Sequence, residues 1–142
     1  MNANIDLHQL VECVGDAIVV ADANEKIVLW NPAATRIFGY SEDEALGQTL
    51  NLIVPERQRQ KHNEGYRHSM ETGTTRYGTS LLKVPAKHQN GETLSIAFTV
   101  GMLFDQSGKA NGVVAIIRDE TARFAEERAL KKRLSDLEGS QA

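Results

Sequence analysis

Apolar residues recur along the chain with two periods, and each change of period marks an element. Ile5, Leu7, Leu10, Val11 and Val14 suit one face of a short helix. Past Gly15-Asp16, the β-branched run Ala17-Ile18-Val19-Val20-Ala21-Asp22 predicts a strand. Asp22-Ala23-Asn24-Glu25 follows as a turn, and Lys26-Ile27-Val28-Leu29-Trp30 as the hairpin partner. Asn31-Pro32 predicts a helix start, because Asn caps free N–H groups and the fixed φ of proline suits the first helical position. That helix holds Ala33 to Phe38 and stops at Gly39. Ser41-Glu42-Asp43-Glu44 has the Ser-x-x-Glu spacing of a capping box and opens a second short helix, to about Leu46, ended by Gly47.

Leu50 to Val54 is a short apolar run, and Pro55-Glu56 opens a polar helix extending to about Glu71 and terminated by Thr72-Gly73. Between Arg57 and Ser69 this helix has almost no aliphatic side chains, so the usual core-facing stripe is missing. Three strands are predicted next. Tyr77 to Lys87 carries Leu81, Leu82 and Val84, with Pro85 marking an edge or a bulge. Thr93 to Phe104, after the turn Gln89-Asn90-Gly91, alternates Leu94, Ile96, Phe98, Val100 and Met102 at period two. Gly112 to Arg118 is nearly continuous in apolar residues, as a central strand is. From Asp119 the composition turns to Ala, Glu, Arg, Lys and Leu, and Phe124, Glu127, Leu130, Leu134 and Leu137 recur at helical spacing along a seam that also suits a coiled coil.

Composition narrows what such a chain does. The 142 residues fit one domain, and 41% hydrophobic with 25% charged residues is globular usage. A net charge of −3 gives no basic field for nucleic acid. No stretch reaches a membrane span, and the polar start Met1-Asn2-Ala3-Asn4 does not read as a signal peptide, so a cytoplasmic location is expected. The single cysteine, Cys13, excludes disulfide frameworks and Cys-rich zinc sites and is expected to pack a helix face. His8 and His88 lack metal-ligand spacing and are expected to be solvated, whereas Trp30 is expected in the core. Capping accounts for Glu42, Asp43 and Glu44. Phosphate loops and nucleophile elbows are missing from the sequence, so an enzyme is not expected.

The succession of two strands, the Asn31-Pro32-Ala33-Ala34 helix, Phe38-Gly39-Tyr40-Ser41, Glu44-Ala45-Leu46-Gly47, Asn90-Gly91 and the closing Val114-Ala115-Ile116-Ile117-Arg118-Asp119-Glu120-Thr121 strongly resembles the PAS family over about residues 5 to 121. The resemblance implies an α+β fold, with a five-stranded antiparallel sheet, helices on one face, and flanking helices at both ends. It divides the chain into an N-terminal flanking helix (1–14), a sensor domain (15–121) and a C-terminal amphipathic output helix (122–142). It also implies a sensing or interaction module rather than a catalyst, since fold alone does not choose a function.

Val54-Pro55-Glu56, then His62, Gly65-Tyr66, His68 and Thr72-Gly73, resembles the corresponding helix of haem-binding PAS sensors. The resemblance implies b-type haem held by His62 as the iron ligand, with His68 and Arg76 toward the propionates and Phe98 and Val100 on the distal wall. A neutral imidazole suits iron and leaves the other haem face to a diatomic gas. The chain departs from that pattern in two places. Leu82 stands where oxygen-sensing members carry an arginine, and Ser80 where another subgroup carries a methionine ligand; Tyr77 and Thr79 are the candidate replacements. The alternatives are a PAS module with no ligand that only dimerises, or a flavin or small-metabolite pocket around residues 50 to 80. The reactive cysteine of the light-sensing flavin branch is missing from Gln48 to Ile53. The expected partners are a second copy of the chain and a downstream effector domain or protein.

Overall fold

The computed structural model describes residues 4–140. A first helix, α1 (Leu7–Cys13), is capped by Asp6, whose carboxylate accepts from the His8 and Gln9 N–H groups. Strands β1 (Ala17–Asp22) and β2 (Ile27–Trp30) follow as an antiparallel hairpin. Asn31 caps α2 (Pro32–Phe38), which ends in left-handed Gly39 at φ 88°. The Ser41/Glu44 box forms with both reciprocal bonds and opens α3 (Glu42–Ala45). Because Glu44 accepts from the Ser41 N–H and hydroxyl, its carboxyl is held below the ordinary value.

Single 3₁₀ turns at Leu50–Leu52 and Glu56–Gln58 lead into α4 (Arg59–Thr72), closed by left-handed Gly73. Then come β3 (Leu82–Lys87), β4 (Thr93–Phe104), β5 (Ala110–Asp119) and the long helix α5 (Thr121–Ser140). The five strands form one antiparallel sheet in the order β2-β1-β5-β4-β3. The α+β architecture and the five-stranded sheet are therefore as the resemblance implied. The apolar run Gly112–Arg118 lies in the central strand, and Pro85 lies in an edge strand, where its missing N–H costs no ladder bond.

Two expectations are corrected. The predicted strand from Tyr77 begins only at Leu82, because residues 76–79 form a turn with Gly78 at φ 56°, outside the range a strand allows. Cys13 does not pack a helix face: it is exposed at the end of a two-turn helix that has no buried residue.

The core lies between the sheet and α2–α3. Trp30 and Phe38, both fully buried, pack with ring centroids 5.7 Å apart, and the Trp30 indole N–H donates to Thr35 Oγ1 and the Tyr40 carbonyl. Strand register sets the inner face in rows. Leu82, Phe98, Ile117 and Ala17 form one row across β3, β4, β5 and β1, and Val100, Ala115 and Val19 form the next. Opposed residues share a face of the sheet. Along both rows, the positions at β1 are buried, whereas Leu82, Phe98, Val100 and Ala115 are only half-buried. The helices therefore cover the β1 side of the inner face and leave the β4 side partly uncovered. Among the described residues, no helix is long and apolar enough to cross a membrane.

Candidate functional site

The polar helix α4 supplies the site. Tyr66 is its one buried side chain, so the helix is not held by an apolar stripe. Polar contacts to the β1–β2 turn hold it instead. The Tyr66 hydroxyl donates to the Asp22 carbonyl at 2.6 Å, and one helical turn earlier His62 Nδ1 lies 3.0 Å from Glu25 Oε1. Residues four apart share a helix face, and the two rings lie 6.3 Å apart. Burial, with the Glu25 and Asp22 carboxylates adding, pushes the Tyr66 phenol above its ordinary 10.0.

The turn itself is strained. Glu25, at φ 66°, is the single non-glycine residue with positive φ among the described residues. Asp22 steadies the turn by accepting from the Asn24 and Lys26 N–H groups.

His62 is two-thirds covered, and its Nε2 makes no hydrogen bond among the described residues. His68 is exposed on α4, and Arg76 lies exposed over the Tyr77 ring at 5.5 Å in the turn before β3. Tyr77 and Ser80 are also exposed. Leu82 and Phe98 are cross-strand partners, with Val100 two residues further along the same face. The structure thus brings Leu82, Phe98 and Val100 into one apolar strip, places His62 on the helix against the β1–β2 turn, and leaves His68, Arg76, Tyr77 and Ser80 at the surface.

A cleft of about 740 Å³ opens between the β1–β2 turn, α4 and the β4–β5 hairpin. It is lined by Glu25, Asn51, Asn63, Tyr66, Arg67 and Lys109 among others, but not by Leu82, Phe98 or Val100. Two placements were not foreseen from the sequence, one beside the site and one outside it. Glu25 is a turn residue without a motif around it. His88, expected in solvent, is half-buried against Gly39, and its Nδ1 accepts the Asn90 N–H.

The residues fit a haem in their chemistry: His62, which does not line the cleft, has an unpartnered Nε2, and its Nδ1 lies 3.0 Å from the Glu25 carboxylate with no hydrogen bond between them. The half-buried strip Leu82, Phe98, Val100 and Ala115 is apolar surface such as a porphyrin covers. Among the described residues, no three His, Cys, Asp or Glu side chains come together to hold a bare metal ion.

Comparison with known proteins agrees with this architecture. The chain is 30% identical over 134 residues, 92% of its length, to the sensor protein FixL of Bradyrhizobium diazoefficiens, and 25% identical over 108 residues to the oxygen sensor protein DosP of Escherichia coli. It spans only 26% of the first and 13% of the second. Among solved structures, a PAS domain from Colwellia psychrerythraea superposes with a TM-score of 0.71 at 23% identity, covering 82% of this chain and 95% of that one. An RNA-binding light-oxygen-voltage receptor superposes at 0.74 and 19%, covering 95% and 40%. Identities this low show a shared fold. The PAS-fold family matches residues 5–119, and the chain belongs to the PAS family.

Proposed function

We propose that this PAS sensory domain binds haem b through His62 and senses a diatomic gas or redox state, passing the change to α5. The observation that carries this reading is the unpartnered Nε2 of a largely covered imidazole on a helix with no apolar stripe of its own. Similarity to an oxygen sensor protein supports it. When bound, haem would supply an iron able to take up a diatomic gas or to change redox state.

The chain's own residues do the rest. His62 ties the group to α4, and Leu82, Phe98 and Val100 offer it a dry wall. Leu82 gives no hydrogen bond to a bound gas, so the site favours CO or NO, or relies on another donor for oxygen. The route out is short. Phe98 is paired with Ile117 on β5, two residues before Asp119 caps the start of α5 by accepting the Thr121 N–H. Thr121 Oγ1 in turn accepts the Ser95 N–H of β4, and the Glu120 N–H donates to the Ser95 carbonyl. A displacement of β4 is thereby coupled to the base of α5.

Protein produced with added haem is expected to show a Soret band that His62→Ala abolishes while its far-UV circular dichroism stays native. Colourless wild-type protein, or a band unchanged in His62→Ala, overturns the reading. The 740 Å³ cleft with its polar lining favours a second reading, a small polar metabolite, which native mass spectrometry would detect as a retained mass.

We also propose that the domain pairs with a second copy through α1 and α5 and acts on a downstream effector. Phe124, Leu130 and Leu134 on α5, and Ile5 and Leu7 at the other end of the chain, are 48–71% exposed.

A further inference from the structure

We infer that the cleft between the β1–β2 turn, α4 and the β4–β5 hairpin is a binding site for the oxyanion of a small carboxylate or phosphate compound. This rests on the small-metabolite reading of that cleft and is independent of haem.

Three observations converge. The first is the side of α4 that faces the cleft. Asn63, Tyr66, Arg67 and Met70 all line it, and residues spaced by three and four share one side of a helix. Neither His62 nor Leu82, Phe98 and Val100 line it, so the cleft is separate from the residues assigned to haem. Tyr66 is committed to the Asp22 carbonyl, which leaves Asn63 and Arg67 as the polar groups this side of the helix offers.

The second is the orientation of two amides. Asn51 Oδ1 and Asn63 Oδ1 are shut off from solvent without a hydrogen bond. Their Nδ2 atoms also lack a partner among the described residues but are not shut off, so both amides turn the N–H2 edge outward. A stranded oxygen costs free energy, and the half-turn that would exchange the two edges is a soft torsion. Two amides lining one cleft bear that cost, and what the cleft gains is N–H donors, one set from the Leu50–Leu52 turn and one from α4.

The third is charge. Arg67 and Lys109 are exposed on the cleft lining, and neither side chain makes an ion pair or hydrogen bond among the described residues. Glu71 follows Arg67 by four residues without pairing with it, and Glu25 is turned to His62. Lys109 stands on a hairpin fixed by Asp105, which accepts from the Ser107 and Lys109 N–H groups. An oxyanion uses all of these donors at once: a guanidinium grips carboxylate or phosphate through two parallel N–H bonds, an ammonium acts as a point charge, and amide N–H groups add direction. About 740 Å³ admits a compound of metabolite size.

The test uses the full chain without haem and three probes: succinate, inorganic phosphate and, as the cation control, putrescine. In ¹H–¹⁵N correlation spectra, succinate or phosphate is expected to shift the backbone signals of residues 63–73 and 108–110 to saturation, and putrescine to leave them in place. A response to succinate alone assigns the carboxylate, and to phosphate alone the phosphate. Arg67→Gln and Lys109→Gln, at exposed positions, are each expected to raise the dissociation constant about tenfold with an unchanged Tm. The isosteric Asn63→Asp, which replaces an N–H2 by a charged acceptor, is expected to abolish binding. Putrescine binding more tightly than either anion, or anion binding unaffected by all three substitutions, overturns the inference and leaves a metabolite of other chemistry. Silence from all three probes overturns it too, and the metabolite reading then falls only if native mass spectrometry finds no retained mass.

Discussion

Asn31 Oδ1 accepts the backbone N–H of Ile18 at 2.9 Å, joining the start of α2 to the second residue of β1. The same oxygen caps Ala34 N, and the amide nitrogen donates to the Val11 and Asp16 carbonyls at 2.9 and 3.1 Å. One side chain, 1% exposed, thus holds α1, β1 and α2 together. Asn31→Ala is expected to cost about 3 kcal/mol, the sum of a lost cap and stranded buried backbone groups. Urea unfolding with an unchanged m-value reads this directly, and a loss within 0.5 kcal/mol would sink the account.

Tyr66 predicts a pH dependence. Its phenol stays protonated in the folded state above the ordinary 10.0, so the folded chain binds more protons than the unfolded one at alkaline pH. This contribution is fully present below pH 10 and falls as pH rises above it. Tyr66→Phe should lose about 1 kcal/mol at neutral pH with the bond to Asp22, yet decline less steeply than wild type between about pH 10 and 11. Parallel declines in the two proteins would refute this.

Gly39 carries two separable constraints. A Cβ there meets His88 Cε1 at 2.6 Å, and the backbone sits at φ 88°. Gly39→Ala is expected to cost about 2 kcal/mol, roughly half of it backbone strain. In a double-mutant cycle, His88→Ala should rescue the steric half and leave the rest. Additive losses would show that the contact yields without cost.

The exposed leucines of α5 make the pairing proposal testable. Leu130→Ser with Leu134→Ser is expected to weaken self-association at least tenfold in sedimentation equilibrium without lowering the unfolding midpoint, because neither side chain belongs to the core. An unchanged association constant would remove α5 from the interface.

Elements with chemically unambiguous ends were legible in the sequence. Asn31-Pro32, the Ser41/Glu44 box and Gly73 each satisfy a backbone group in a way few other residues do, and the period-two run of β4 has no helical reading. The segment before β3 was not legible, because Tyr77, Thr79 and Leu81 carry strand propensity whether or not a ladder partner exists. For the site, His62 could be found on its helix, and Leu82, Phe98 and Val100 by alternation. Glu25 could not, since its place beside His62 depends on a left-handed backbone that glycine usually marks and on a helix distant in sequence.

Because β1 and β5 are neighbours, with Ala17 opposite Ile117, the chain goes in and comes out at one doorway. Asp16 and Arg118 bolt it with a two-pronged ion pair at 3.2 Å, which raises the guanidinium above its ordinary value. A slide of β5 along β1 would break that pair and move the root of α5 against that of α1 by the full length of the slide. On the signalling role proposed above, the two helices would serve as the pointer and the scale of one gauge, and any structure attached to both would register the sheet's movement as a relative displacement.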